Sequence, residues 1–256
     1  LGLNSMFIAY DPALFEQAGV PEPTPDWTWE DYIETCRALH EKLGIYADSS
    51  FPGGYFHGFR HYLRQHGQTL YSEDGTKLAY EDDKLFEEFF TMELELVKEG
   101  VIARPDVRME IKSPEDELII TQKAPMAGGI HSNSNQIIAM TAAANRPIKM
   151  AMFPKHKDQV QEGHYLKPSM FFSVTSSSSN PDAAVKFIDY FTNDVEGNKI
   201  LMAERGVPIS AKVREALMPL LDEPQKQMFE YIDLIIENSS PIDPPEPVGH
   251  PEVDKI

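Results

Sequence analysis

The sequence predicts an α/β fold built on a largely parallel sheet. Short, apolar, β-prone runs alternate with amphipathic helices along the chain, and most helices carry their own start and stop signals. The 256 residues are long enough to bury a sizeable core, with 41% hydrophobic and 25% charged residues, inside the globular range.

The elements follow in order. Leu3 to Ala9 is a short apolar run and reads as one strand. Asp11-Pro12 supplies an N-cap and first-turn proline, and Gly19 ends that helix. After the Pro-rich link Pro21 to Pro25, Thr28 with Asp31 forms a cap resembling a capping box, opening a helix from Trp29 to Leu43 that stops at Gly44. Ile45 to Ser49 predicts a short strand, Phe51 to Tyr62 is an aromatic segment, and Asp74-Gly75 marks a hairpin-like turn. Asp83 to Glu99 is a strongly amphipathic helix ended by Gly100, and Ser113-Pro114 caps another that ends near Gln122. The apolar runs Pro125 to Ile130 and Ile148 to Phe153 flank a helix from Asn133 to Ala144. Lys155 to His164 is a polar loop, Met170 to Val174 a strand, and Asn180-Pro181 a further cap. Helices fill Asp182 to Glu204, Ala211 to Leu220 and Glu223 to Ile236 before the Pro-rich loop Pro241 to Pro251.

Charge and cysteine content narrow the function. Asp plus Glu number 41 against 23 Lys plus Arg, a net charge of -18. Such a surface repels a phosphate backbone and an anionic membrane, which disfavours nucleic acid as a partner. The single cysteine, Cys36, excludes an internal disulfide and any multi-cysteine zinc site, and it sits on the apolar stripe of its helix. No stretch approaches the ~20 apolar residues of a membrane-spanning helix. The start, Leu1-Gly2-Leu3-Asn4, has no initiator Met and no signal peptide and lies already in an apolar run, which reads as a cut within a longer protein.

Five spaced motifs together resemble the family 1 extracellular solute-binding proteins, the relatives of maltose-binding protein. They are Tyr10-Asp11-Pro12-Ala13-Leu14-Phe15-Glu16-Gln17-Ala18-Gly19-Val20-Pro21, then Trp29-Glu30-Asp31-Tyr32, then Gln122-Lys123-Ala124-Pro125-Met126-Ala127-Gly128-Gly129. Ser176 to Ala184 with Lys186-Phe187-Ile188, and Gly206-Val207-Pro208-Ile209-Ser210, complete the set. Each alone is weak; their order and spacing carry the resemblance. It implies a two-lobed periplasmic-binding-protein-like fold of type II, mostly one lobe plus part of the other. Residues 1–167 would form most of one lobe, 168–210 would return to the other, and 211–256 would come back to the first. The resemblance further implies an extracellular protein, periplasmic or lipid-anchored, that captures a mono- or oligosaccharide between its lobes by hinge closure. It would hand that sugar to ABC permease subunits, need no cofactor and turn nothing over. Helices after Met170 would miss strands that such proteins normally provide, so this fragment would find other partners or dimerise.

A sugar site wants flat aromatic faces for ring C–H groups and planar polar groups for hydroxyls. Pro52-Gly53-Gly54-Tyr55-Phe56-His57-Gly58-Phe59 offers both, with Tyr55 and His57 as the ligand-facing residues, or alternatively with its aromatics as core. Gly128 to Asn133 offers His131, Ser132 and Asn133 ahead of a helix, although Ser132 also reads as a plain N-cap and the family's stacking Trp is missing there. Arg205 and the loop Asp243 to Glu246, with Glu246 as its ligand-facing residue, rank behind these.

Signals for catalysis are thin. The chain has no G-x-S-x-G, P-loop, G-x-G-x-x-G or H-E-x-x-H. His57, His61 and His66 are the one grouping that suggests a metal, but Arg60 and Arg64 interleave with them. A cationic, solvated helix face is the expectation there. The rival readings are a carbohydrate-active or metal-dependent hydrolase, and a carrier of peptides or a metal chelate.

Overall fold

A computed structural model describes residues 1–80, 82–113, 116–128 and 135–253, and the side chains of all of these but Tyr55 and Val253. The apolar run at the start is two strands, not one: β1 (Gly2–Asn4) and β2 (Ile8–Tyr10) lie in different sheets. Ser5, Met6 and Phe7 carry the chain across. The Ser5 hydroxyl donates to Tyr165 O at 3.2 Å and the Tyr231 hydroxyl to Met6 O, so these buried groups are satisfied without a strand partner.

The larger sheet holds β2 between β3 (Met126–Ala127) and β4 (Lys149–Ala151), antiparallel to both. Parallel bridges from Asp48 to Met126 and to Ile102 widen it by two short passes. The spatial order is therefore Ile102, Asp48, Met126, Ala9, Met150, with β2 the one reversed member. Ile45 to Ser49 contributes these bridges but no regular strand.

Alternation along the sheet divides two cores. Ile8, Tyr10, Met126, Ala151 and Phe153 face one cluster; Phe7, Ala9, Ala127, Ile148 and Met152 face the other. The first is closed by α2 (Trp29–Leu43), α3 (Phe59–Gln65) and α4 (Lys84–Lys98) through Trp29, Tyr32, Leu39, Leu63 and Phe89. The second is closed by α6 (Gln136–Ala144), α9 (Ala211–Leu217) and α10 (Glu223–Glu237) through Ile137, Val213, Phe229 and Ile232. Helix, sheet and helix thus form three layers.

The caps lie where the residues place them. Asp11 accepts from Ala13 N and Leu14 N at the head of α1 (Pro12–Ala18), and its second oxygen takes Arg146 Nε at 2.7 Å. Thr28 and Asp31 form the capping box of α2, and Gly19 and Gly44 close their helices in the left-handed conformation. Of the helix expected over Ser113 to Gln122, the described residues 118–122 are turns: Leu118 and Ile119 anchor in separate clusters, and Gln122 sits at φ 57°.

A second sheet has β1 at its centre, antiparallel to β5 (Lys167–Pro168) and β6 (Val207–Pro208). Three separate passages of the chain meet there. Met170 to Val174 do not form the expected strand, because no neighbouring segment among the described residues gives them a ladder, and Phe171 stays 78% exposed. α7 (Pro181–Asn193) buries none of its side chains. Its Phe187 and Phe191 meet Phe172 at ring separations of 5.8 and 4.9 Å, an aromatic face turned to solvent. α8 (Val195–Leu201) follows and packs Val195 against the second core.

Candidate functional site

The two best-ranked segments converge at the end of β3. Pro52 to Gly58 does not enter α3 directly; Gly54–Gly58 forms a single wide turn of π-helix, closed by Gly58 N donating to Gly53 O at 3.2 Å. Such turns recur at functional sites. Gly53, at φ 75°, donates its N–H to Gly128 O at 2.8 Å, which ties this turn to the loop leaving β3. A Cβ on Gly53 would lie 2.3 Å from Gly58 N, and one on Gly128 would lie 2.6 Å from Ser50 O, so glycine is a packing requirement at both places.

His57 is half-buried in this turn. Only the backbone of Tyr55 is described, and His131, Ser132 and Asn133 lie outside the described residues. The described residues on either side of them are held in place: Gly128 against Gly53, and Asn135, whose side-chain amide donates to Glu204 O at 3.0 Å.

That second anchor borders a cavity of about 360 Å³ beside β1, β5 and β6, lined by Asn4, Asn135, Lys167, Ser169, Glu204 and Arg205, among others. Arg205 is thus brought to the same neighbourhood as Asn135. Asn4 Oδ1 is buried there with no hydrogen-bond partner among the described residues, an acceptor that a ligand hydroxyl or a water suits. Sequence reasoning missed Asn4 and Lys167, because strands of two or three residues leave no periodic signal.

Glu246 is placed differently. Its carboxylate is held by Arg60, and Arg60 Nε also meets Asp243 Oδ2 at 2.8 Å. Arg64, 1% exposed, donates to Asp243, to Gly163 O at 2.9 Å and to Pro241 O at 2.9 Å, with its guanidinium over the Tyr165 ring. The expected solvated cationic face is therefore corrected: Arg60 and Arg64 are buried and staple the Pro-rich loop to α3. Their acidic partners lie 179 to 186 residues further along the chain.

Histidine environments bear on the metal reading. His61 is fully buried against Phe153 and His164, and desolvation pushes its pKa down to about 3. Among the described residues no three His, Cys, Asp or Glu side chains are grouped to hold a metal ion. A cavity of about 840 Å³ lies between α6, β4 and α10, away from these residues; its Arg146, Lys149 and Lys226 are each already paired with an acid. No helix among the described residues is long and apolar enough to cross a membrane.

Residues 2–197 match the family model of the bacterial extracellular solute-binding proteins. The fold is similar to a family 1 extracellular solute-binding protein of Alicyclobacillus acidocaldarius, at TM-score 0.86 and 28% identity, covering 99% of this chain and 63% of that one. It is also similar to a periplasmic oligogalacturonide-binding protein of Yersinia enterocolitica (TM-score 0.73, 20% identity, 95% and 61% covered). An ABC substrate-binding protein of Listeria monocytogenes in complex with cycloalternan shares it too (TM-score 0.69, 19% identity, 99% and 62% covered). The chain spans less than two thirds of the length of each of these relatives.

Proposed function

This chain belongs to the bacterial extracellular solute-binding proteins, and we propose that it captures a carbohydrate for an ABC importer, in a cleft between two lobes that close as a hinge. The observation that carries the reading is the β1–β5–β6 sheet: three passages of one chain cross side by side at the edge of a polar cavity. Crossings of that kind let two bodies rotate about short strands while the cavity between them closes. Residues 1–167 and 211–256 would make one lobe and 168–210 would belong to the other.

Ligand capture would fall to Tyr55, His57, His131, Ser132, Asn133 and Arg205, with Asn4 added from the structure. Glu246 would take part only by giving up Arg60. The chain's net charge of -18 opposes the approach of an acidic sugar, which makes neutral oligosaccharides the first class to test. The Yersinia and Listeria proteins of the same fold, which bind an oligogalacturonide and cycloalternan, support an oligosaccharide as the ligand class. The same reading makes the protein a carrier and not an enzyme, working outside the cell membrane and docking on permease subunits. The aromatic face of α7 would be covered in the whole protein, or by a second copy when this segment stands alone.

A thermal-shift screen of the full gene product against neutral oligosaccharides, peptides and metal chelates tests the proposal. A saturable rise in melting temperature with an oligosaccharide alone is expected. A rise with peptides or chelates and none with sugars would overturn the ligand class.

A further inference from the structure

We propose that Asp48 is the positioning residue of the ligand-facing surface, a buried carboxyl that fixes the Pro52–Gly58 turn and Gly128, at the exit of β3, relative to each other. This rests on the proposed site above and names what holds its shape.

Asp48 is fully buried between three segments. Its Oδ1 accepts from Gly128 N at 2.7 Å and from Ser50 N at 3.2 Å, and its Oδ2 accepts from the Tyr32 hydroxyl at 3.1 Å. The backbone of the same residue bridges the passes at Ile102 and Met126. One side chain therefore binds the start of the 50–58 turn, the exit of β3 and α2, and the Gly53–Gly128 hydrogen bond lies next to it. Gly128 is pressed so closely on it that a Cβ there would sit 2.9 Å from Asp48 Oδ2.

No ion pair among the described residues reaches Asp48. The titratable groups around it are Tyr32 and Cys36, both on α2, and both raised in pKa, by burial first and by the Asp48 charge second. Burial likewise pushes the Asp48 carboxyl up to about 7, against the N–H donors of Gly128 and Ser50. A buried carboxyl without a cation is costly wherever only packing is needed. Here it faces donors on every side, and its two protonation states differ in how strongly they hold Gly128: the ionised form accepts charge-assisted bonds, the neutral form ordinary ones. The Tyr32 hydroxyl can turn to accept from a protonated Oδ2, so both forms remain bonded.

Amide exchange in this chain tests the assignment through the Gly53 and Gly128 N–H groups, with Ile232 of α10 as the remote reference. Asp48→Ala is expected to lower protection of Gly53 and Gly128 about tenfold while Ile232 keeps its own. Asp48→Asn keeps the Oδ1 acceptor and should preserve protection, but should abolish the change in Gly128 protection expected of the natural chain between pH 6 and 8. Unchanged protection in Asp48→Ala, an equal fall at all three amides, or the same pH profile in Asp48→Asn would overturn the proposal. Calorimetry with maltotriose on the full gene product adds the functional arm. If the natural protein binds it, Asp48→Ala should weaken binding about tenfold or more. If the natural protein binds no maltotriose, that sugar is not its ligand, and the exchange results still decide on Asp48.

Discussion

Replacing Arg64 with Met should be among the most damaging changes available in this chain. The guanidinium is 1% exposed and donates to Asp243, Gly163 O, Ser240 O, Ser240 Oγ and Pro241 O, while lying 5.1 Å from the Tyr165 ring centre. Methionine keeps much of the stem's volume but none of the donors, so three backbone carbonyls and a carboxylate lose a partner. Breaking a buried pair by removing one member costs about 3–5 kcal/mol. Arg60 still reaches Asp243 at 2.8 Å, which holds the loss toward the lower end. At about 2–4 °C per kcal/mol for a chain of this size, the melting temperature should fall by roughly 6–15 °C. Thermal unfolding followed by circular dichroism reads that fall, and amide exchange should show residues 240–247 opening first. A loss under about 1 kcal/mol, the range of surface pairs, would refute the claim that this loop is stapled by buried charge.

Gly128→Ala should destabilise by about 1–3 kcal/mol, because its Cβ would lie 2.6 Å from a backbone oxygen that cannot rotate away; chemical denaturation measures it. His61 is held neutral by burial with a pKa near 3, below its unfolded value, so the stability it contributes is complete above pH 6.5 and is lost as pH falls toward 3. His61→Gln should therefore flatten the pH dependence of unfolding free energy between pH 6 and 4 by about 1.4 kcal/mol per pH unit, read by urea titration at several pH values. Phe187→Glu, on the exposed aromatic face of α7, should leave the melting temperature within about 1 °C and reduce self-association of this chain in sedimentation velocity.

Much of the architecture is legible in local signals. Asp11-Pro12, Thr28 with Asp31, Gly19 and Gly44 mark helix ends because capping is a short-range requirement, met by residues three or four positions apart. The break at Ser5 to Phe7 is not legible, since the apolar run continues through it while the chain changes sheet. Arg60 and Arg64 look solvated because Asp243 and Glu246 answer them from the far end of the chain, which no local window contains. Met170 to Val174 reads as a strand on propensity, yet a strand exists only where a neighbour supplies the ladder. At the candidate site, Gly53 and Gly128 are legible as turn glycines, but their apposition and the carboxyl of Asp48 beside them come from the fold. A lone Asp in Ala47-Asp48-Ser49-Ser50 gives no sign of the three donors that will face it.

The central claim, capture of a sugar without its conversion, is tested most directly by titrating neutral oligosaccharides into the full gene product in a calorimeter and recovering the sugar afterwards. The account predicts saturable binding of one oligosaccharide per protein and recovery of that sugar intact by chromatography. Cleaved or rearranged sugar would contradict it, as would an absence of heat with every sugar alongside tight binding of a peptide or metal chelate.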